Sequence, residues 1–282
     1  MNEGEATSAG AAGRDGHNLL LRIRAALILA PLAIAAAYVG GWLWVAFVTA
    51  AAIGLYVEWL TIIAARTAIS MVAGAAIIFA AGWIEFNQTA SGYVFAALAA
   101  IVVSIALAAP NHRGWVALGA CYALAASIAS VAVRLDQAFG FAALMFVLLV
   151  VWATDIGGYF VGRQIGGPKL WPRVSPKKTW AGSIGGLVAS LAVAAGFAAI
   201  GVGKTLPMLA LGASLSIVSQ LGDLFESAVK RRFGVKDSSQ IIPGHGGLLD
   251  RLDGFVAAVV LAAILGFLRG GADGVGRGLM VW

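Results

Sequence analysis

Six of the 13 acidic residues, Asp155, Asp223, Glu226, Asp237, Asp250 and Asp253, share one part of the chain with eleven of the 19 basic ones, from Arg163 to Arg251. Within it, GDLFESAVKRRFGVKD spaces Asp223, Glu226, Ser227, Lys230 and Arg231 at i, i+3, i+4, i+7 and i+8, so a helix presents all five on one face. A solvated helix laced with salt bridges has the same spacing. Here, however, the face continues from an apolar run, SLSIVSQLGDLFES, and its acids begin where that run ends, which places the cluster at a membrane boundary. In the next stretch, IIPGHGGLLDRLDG, backbone N–H groups at Gly244, Gly246 and Gly247 can turn toward an anion and cradle a phosphate. Asp250 and Asp253 follow at i and i+3. Carboxylates beside a phosphate repel it unless a cation lies between them, so the combination implies Mg²⁺. His245 suits a hydrogen-bond donor better than a metal ligand, because Mg²⁺ prefers oxygen.

Two further segments carry polar groups into an apolar setting. SPKKT sets Lys177 and Lys178 and the hydroxyls of Ser175 and Thr179 just before a glycine-containing helix start, where a phosphate is well received. A cytoplasmic loop satisfying the charge bias of a membrane protein would also contain such lysines. TDIGGYFVGRQIGG puts Asp155 at the end of the run AFGFAALMFVLLVVWAT, at a cost of about 2.5 to 3.5 kcal/mol on insertion scales. That carboxylate needs a partner, whether for function or at a packing face. GVGKT, residues 201–205, ends like a nucleotide-binding P-loop but has Ala198 where that loop needs its first glycine.

These residues must be held by a membrane bundle. The chain is 61% hydrophobic and only 11% charged, against about 25% charged in soluble domains. Apolar runs over residues 24–39, 42–63, 69–84, 92–109, 114–133, 138–162, 183–203, 205–222 and 254–269 predict an all-α polytopic protein of about nine transmembrane helices. With the N-terminus cytoplasmic, all but Arg134, Lys204, Arg269 and Arg277 of the basic residues fall on the inner side. An odd count then puts the C-terminus outside. Residues 1–18 read as a disordered tail, 19–137 as a scaffold of about five helices, and 138–282 as a catalytic region of about four, with cytoplasmic loops at 163–182 and 226–252. A cleaved signal peptide is disfavoured, since the first apolar run leads straight into another. Glu58 sits near the inner end of the second run, and the lone Cys121 excludes an intramolecular disulfide. The net charge of +6 follows the inside bias and points to anionic lipid headgroups, with no nucleic acid.

The run SAVKRRFGVKDSSQIIPGHGGLLDRLD, residues 227–253, resembles the phosphatidate cytidylyltransferase (CDP-diacylglycerol synthase) family: Ser, Lys-Arg, Lys-Asp, His-Gly-Gly and Asp-Arg-x-Asp stand at the family spacings. The likeness extends upstream through GDLFES, SPKKTWAG and TDIGGYFVGR and covers about the C-terminal half. Ala181 departs from it, where the family usually has Glu after Lys-Lys-Thr. The resemblance implies that CTP and phosphatidate give CDP-diacylglycerol and pyrophosphate with Mg²⁺, in phospholipid biosynthesis. It implies a homodimer in a bacterial inner membrane, with the site facing the cytoplasm. On that reading Asp223 and Asp250, with Glu226 and Asp253, hold one or two divalent cations, a monovalent cation being a further candidate. Lys177, Lys178, Lys230, Arg231 and Arg251 neutralise the triphosphate and the lipid headgroup. Ser175, Thr179 and Ser227 donate to phosphate, and Asp155 binds metal or orients a lysine. A CTP-dependent lipid or polyprenol kinase and an ion transporter are the rivals; no internal repeat favours the latter.

Overall fold

The computed structural model describes residues 27–86, 110–239 and 246–282. Helices α1 (Leu27–Val39) and α2 (Gly41–Ile62) part at two glycines in the left-handed region, Gly40 at φ 69° and Gly41 at φ 53°. The Arg134 guanidinium closes the open end of α1 by donating to the Ala37 and Tyr38 carbonyls at 2.5 and 2.9 Å. Helix α3 (Ala68–Phe86) starts at a reciprocal cap, with Ser70 N–H donating to Thr67 Oγ1 and Thr67 N–H to Ser70 Oγ. Then come α4 (Arg113–Leu135), α5 (Gly140–Ile165), α6 (Trp180–Ala199), α7 (Thr205–Arg232), α8 (Leu249–Gly270) and the short α9 (Val275–Met280). Among the described residues six helices, α2 and α4 to α8, are long and apolar enough to cross a membrane. The expected span at 92–109 lies outside the described residues.

Three boundaries differ from the sequence expectation. α7 runs past the end of its apolar stretch to Arg232, α8 starts at Leu249 rather than at 254, and α6 starts at Trp180 rather than at 183. Hydropathy marks only the part of a helix that contacts lipid; the polar turns beyond it are helical because they pack against one another. The bundle is also not wholly helical. Strands β1 (Lys169–Trp171) and β2 (Ser175–Thr179) form an antiparallel hairpin between α5 and α6, with Lys169 opposite Thr179 and Trp171 opposite Ser175.

Two apolar cores stack along the bundle. One joins Trp44 and Val48 of α2 to Leu144, Phe146 and Val147 of α5, Met208 and Leu215 of α7, and Leu279 of α9. The other, nearer the hairpin end, joins Leu55, Tyr56 and Trp59 of α2 to Val116 and Leu124 of α4 and Leu249 and Val256 of α8. Large apolar side chains such as Ile184, Val188, Leu206 and Leu268 lie on the outside, as a lipid solvent requires. α5 and α6 approach through small residues. A Cβ on Gly182 would stand 2.8 Å from the Gly158 carbonyl oxygen. Polar links cross the bundle as well: Thr154 Oγ1 lies 2.9 Å from Ser216 Oγ, joining α5 to α7, and Ser183 Oγ donates to Gln220 Oε1, joining α6 to α7.

Candidate active site

At the hairpin end of the bundle, the last turns of α7, the first turns of α8, the end of β2 and the polar end of α5 meet. α7 carries Asp223, Glu226, Ser227 and Lys230 there on one face, as their spacing dictates. Lys230 is the hub. Its Nζ lies 2.6 Å from Glu226 Oε2 on its own helix and 2.6 Å from Asp250 Oδ1 at the head of α8. Lys230 and Glu226 are buried, and Asp250 nearly so. Asp250 Oδ2 in turn accepts from Ser238 N–H at 3.1 Å and Gly247 N–H at 3.0 Å, and the Ser238 hydroxyl, whose one proton it shares with Glu58, stands 3.0 Å away. Both oxygens of Asp250 are thus engaged, and the Gly247 amide is committed to it.

Two helical turns back from Lys230 along α7, Asp223 forms an ion pair with Lys178 from β2 and accepts from Ser227 Oγ at 3.4 Å. Asp253 lies within electrostatic reach of Asp223, Glu226 and Asp155, each of which repels it. Asp155 also repels Asp223 and is attracted by Lys178 and Arg251. Glu226 Oε1 is buried and takes no hydrogen bond among the described residues, although a buried carboxylate oxygen without a partner is costly. Four carboxylates therefore repel one another at this end of the bundle, a charge that a cation would offset. Among the described residues no three of them stand close enough together to hold a metal ion. The donor set, all oxygen, suits Mg²⁺ rather than a soft metal.

Other expected site residues take different positions. Thr179 is buried and caps α6, its Oγ1 accepting from Gly182 N–H at 3.1 Å. Arg231 ties α7 to its surroundings, donating to the Val174 carbonyl at 3.4 Å and the Val235 carbonyl at 3.1 Å. Ser175 is half-buried in β2, Arg251 is exposed on the first turn of α8, and Lys177 is exposed with no ion pair among the described residues. Gly246 has φ 86°, a left-handed conformation. Gly244 and His245 lie outside the described residues.

One participant was not among the sequence candidates. Glu58 of α2 is fully buried, at 0% exposure. It accepts from Ser238 Oγ at 2.9 Å, Ser239 Oγ at 2.6 Å, Leu248 N–H at 2.8 Å and Leu249 N–H at 2.7 Å. The available signal was its position: it is the one acidic residue in the apolar run 42–63, and a carboxylate at that depth needs donors.

Residues 20–268 match the model of the cytidylyltransferase family. The phosphatidate cytidylyltransferase of Brucella suis biovar 1 (strain 1330) is 42% identical over 257 residues, covering 88% of this chain and 93% of the relative. That of Brucella melitensis biotype 1 is 43% identical over 258 residues, with the same coverage. The phosphatidate cytidylyltransferase of Bacillus subtilis (strain 168) is 46% identical over 128 residues, 44% of this chain and 46% of the relative.

Proposed function

Because this chain belongs to the cytidylyltransferase family, we propose that it condenses CTP with phosphatidate to give CDP-diacylglycerol and pyrophosphate. The observation that carries the reading is the joined set of carboxylates and lysines, Lys178–Asp223 and Glu226–Lys230–Asp250, gathered at one end of a bundle of apolar helices. A phosphorylated lipid presents its headgroup at that depth, with its tails against the apolar outer faces.

The chemistry needs little from a general base. A phosphate oxygen of phosphatidate attacks the α-phosphorus of CTP; a new P–O bond forms, the bond from the α-phosphorus to the bridging oxygen breaks, and pyrophosphate leaves with that oxygen. Two polyanions must be brought together in line, so positioning and charge neutralisation supply the rate. Lys178 and Lys177 on the hairpin and Arg251 on α8 receive the triphosphate and the headgroup, with Ser175 and Ser227 as hydroxyl donors. Asp223, Glu226 and Asp253 are the residues that would hold Mg²⁺, which supplies charge neutralisation for the phosphates. Lys230, fixed between Glu226 and Asp250, keeps the faces of α7 and α8 at a constant separation. Asp250, with both oxygens engaged, serves this frame, and Asp155 supports the same carboxylate group from α5.

The finer placement follows the charge bias. Nine spans, the N-terminus inside and the C-terminus outside set the site at the cytoplasmic face of a bacterial inner membrane, where CTP is available. A homodimer is the assembly proposed.

The test is formation of labelled CDP-lipid from cytosine-labelled CTP by the purified protein with phosphatidate and Mg²⁺. Wild type is expected to form it and Asp223→Asn to lose it while remaining folded. Phosphorylated lipid and CDP as products would turn the assignment to a lipid kinase. No reaction with CTP, together with ion flux in proteoliposomes, would turn it to a transporter.

A further inference from the structure

The N-terminal helices read from sequence as scaffold, yet α2 sends one carboxylate to the head of α8. The partners of Glu58 lie at Ser238, Ser239, Leu248 and Leu249, 180 to 191 residues along the chain. We propose that Glu58 is a positioning residue for cytidylyl transfer, fixing Ser238, Ser239 and the head of α8 so that Asp250 stands against Lys230. The inference rests on the activity proposed above.

Three features carry it. First, each Glu58 oxygen takes one hydroxyl and one amide: Oε1 from Ser239 Oγ and Leu248 N–H, Oε2 from Ser238 Oγ and Leu249 N–H. Every one of these contacts is a donor, which suits a carboxylate, an acceptor with two oxygens. Second, α8 has no cap from its own Leu248. Glu58 supplies that cap from another helix, meeting two backbone N–H groups that would otherwise be orphaned in a buried place. Third, Glu58 and Asp250 share Ser238. Its hydroxyl stands 2.9 Å from Glu58 Oε2 and 3.0 Å from Asp250 Oδ2, and its N–H also donates to Asp250. Gly247 completes the unit. Its N–H donates to Asp250, and a Cβ there would fall on Ser238 Oγ and Glu58 Oε2. Displacing Glu58 therefore moves the groups that hold Asp250, and through Asp250 the ammonium of Lys230.

The experiment compares kcat, and KM for CTP, in wild type and Glu58→Gln. The amide keeps the shape but turns one oxygen into a donor. A serine hydroxyl can rotate to accept; a backbone N–H cannot, so one amide at the head of α8 faces a donor in either orientation. kcat per folded molecule is expected to fall about 10- to 100-fold, the range for lost supporting hydrogen bonds around a reactive centre, with KM for CTP unchanged. In Glu58→Gln/Ser238→Ala the loss should not exceed that of the worse single variant, because both act through Asp250. A residue that served folding alone would lower yield and thermal midpoint while each folded molecule kept wild-type kcat. That result overturns the proposal, as do losses that multiply in the double variant. If Glu58→Gln fails to fold, Ser239→Ala removes one donor from Glu58 and carries the same test: a smaller fall in kcat supports it, and wild-type kcat overturns it. A wild-type protein that forms no CDP-lipid would overturn the activity, and this proposal with it; loss of the positioning effect alone leaves the activity standing.

Discussion

Lys230 holds one buried and one nearly buried carboxylate at 2.6 Å each, and the Lys230, Glu226 and Asp250 side chains are 11%, 1% and 14% exposed. Removing the ammonium leaves Glu226 and Asp250 facing each other without their shared cation, although Asp250 keeps the Ser238 and Gly247 N–H donors. Lys230→Met is therefore expected to destabilise the protein by about 3–5 kcal/mol, the cost of breaking a buried ion pair from one side. Adding Glu226→Gln should recover part of the loss, because one stranded charge disappears. Thermal unfolding in detergent reads both effects; an unchanged midpoint in Lys230→Met would show that the ammonium is not a structural hub. The residue pattern made much of this visible. The spacing of Asp223, Glu226, Ser227 and Lys230 fixed a common helix face, and a carboxylate at the head of α8 had to find a cation. Spacing within one helix says nothing about which other helix will arrive, so the pairing of Lys178 with Asp223, and the role of Glu58, had to come from the packed bundle.

At the scale of elements, the crossing of α5 and α6 sets where Asp155 and the hairpin lysines stand relative to α7. That crossing depends on absent side chains, and not equally on each. A Cβ on Gly182 would lie 2.8 Å from the Gly158 carbonyl oxygen and 3.2 Å from Gly162 Cα, whereas a Cβ on Gly158 would make only ordinary contact, 3.4 Å from the Gly182 carbonyl oxygen. Gly182→Ala should therefore cost about 1–3 kcal/mol through forced helix separation, and Gly158→Ala should be near neutral. Thermal midpoints of the two variants decide it; the reverse order would contradict the packing. In the sequence, Gly157, Gly158 and Gly162 permit close approach by a helix or by a ligand, and only the packed bundle shows that α6 is what arrives. The hairpin was less legible still, since Pro176 in SPKKT signals a break in regular structure and two short strands give no periodic pattern of their own.

For the whole molecule, the ends of the helices sort the charges. Arg66, Arg113, Arg163, Lys178, Lys230 and Arg251 gather toward the site end, while Arg134, Lys204, Arg269 and Arg277 belong to the other. At that other end Asp136 accepts from the Arg277 N–H at 2.8 Å, and the Arg269 guanidinium lies over the Trp282 ring, so α9 closes the bundle there. With the site end cytoplasmic, Lys204 is expected outside and Lys236 inside. In a Cys121→Ser background, an impermeant thiol reagent applied to intact cells should label Lys204→Cys, and should label Lys236→Cys only after permeabilisation; the opposite pattern would invert the topology. Composition announced the membrane bundle and its apolar outer surface at once. The exact helix ends escaped it because polar turns, held helical by tertiary contacts, carry no hydropathy signal.

The most direct measurement uses CTP labelled at the α-phosphate or, in a parallel reaction, at the γ-phosphate, with phosphatidate as acceptor. Cytidylyl transfer puts α-label in the lipid and γ-label in pyrophosphate, and both are expected to be lost in Asp223→Asn. Label from the γ-phosphate appearing in the lipid, with none from the α-phosphate, would contradict cytidylyl transfer.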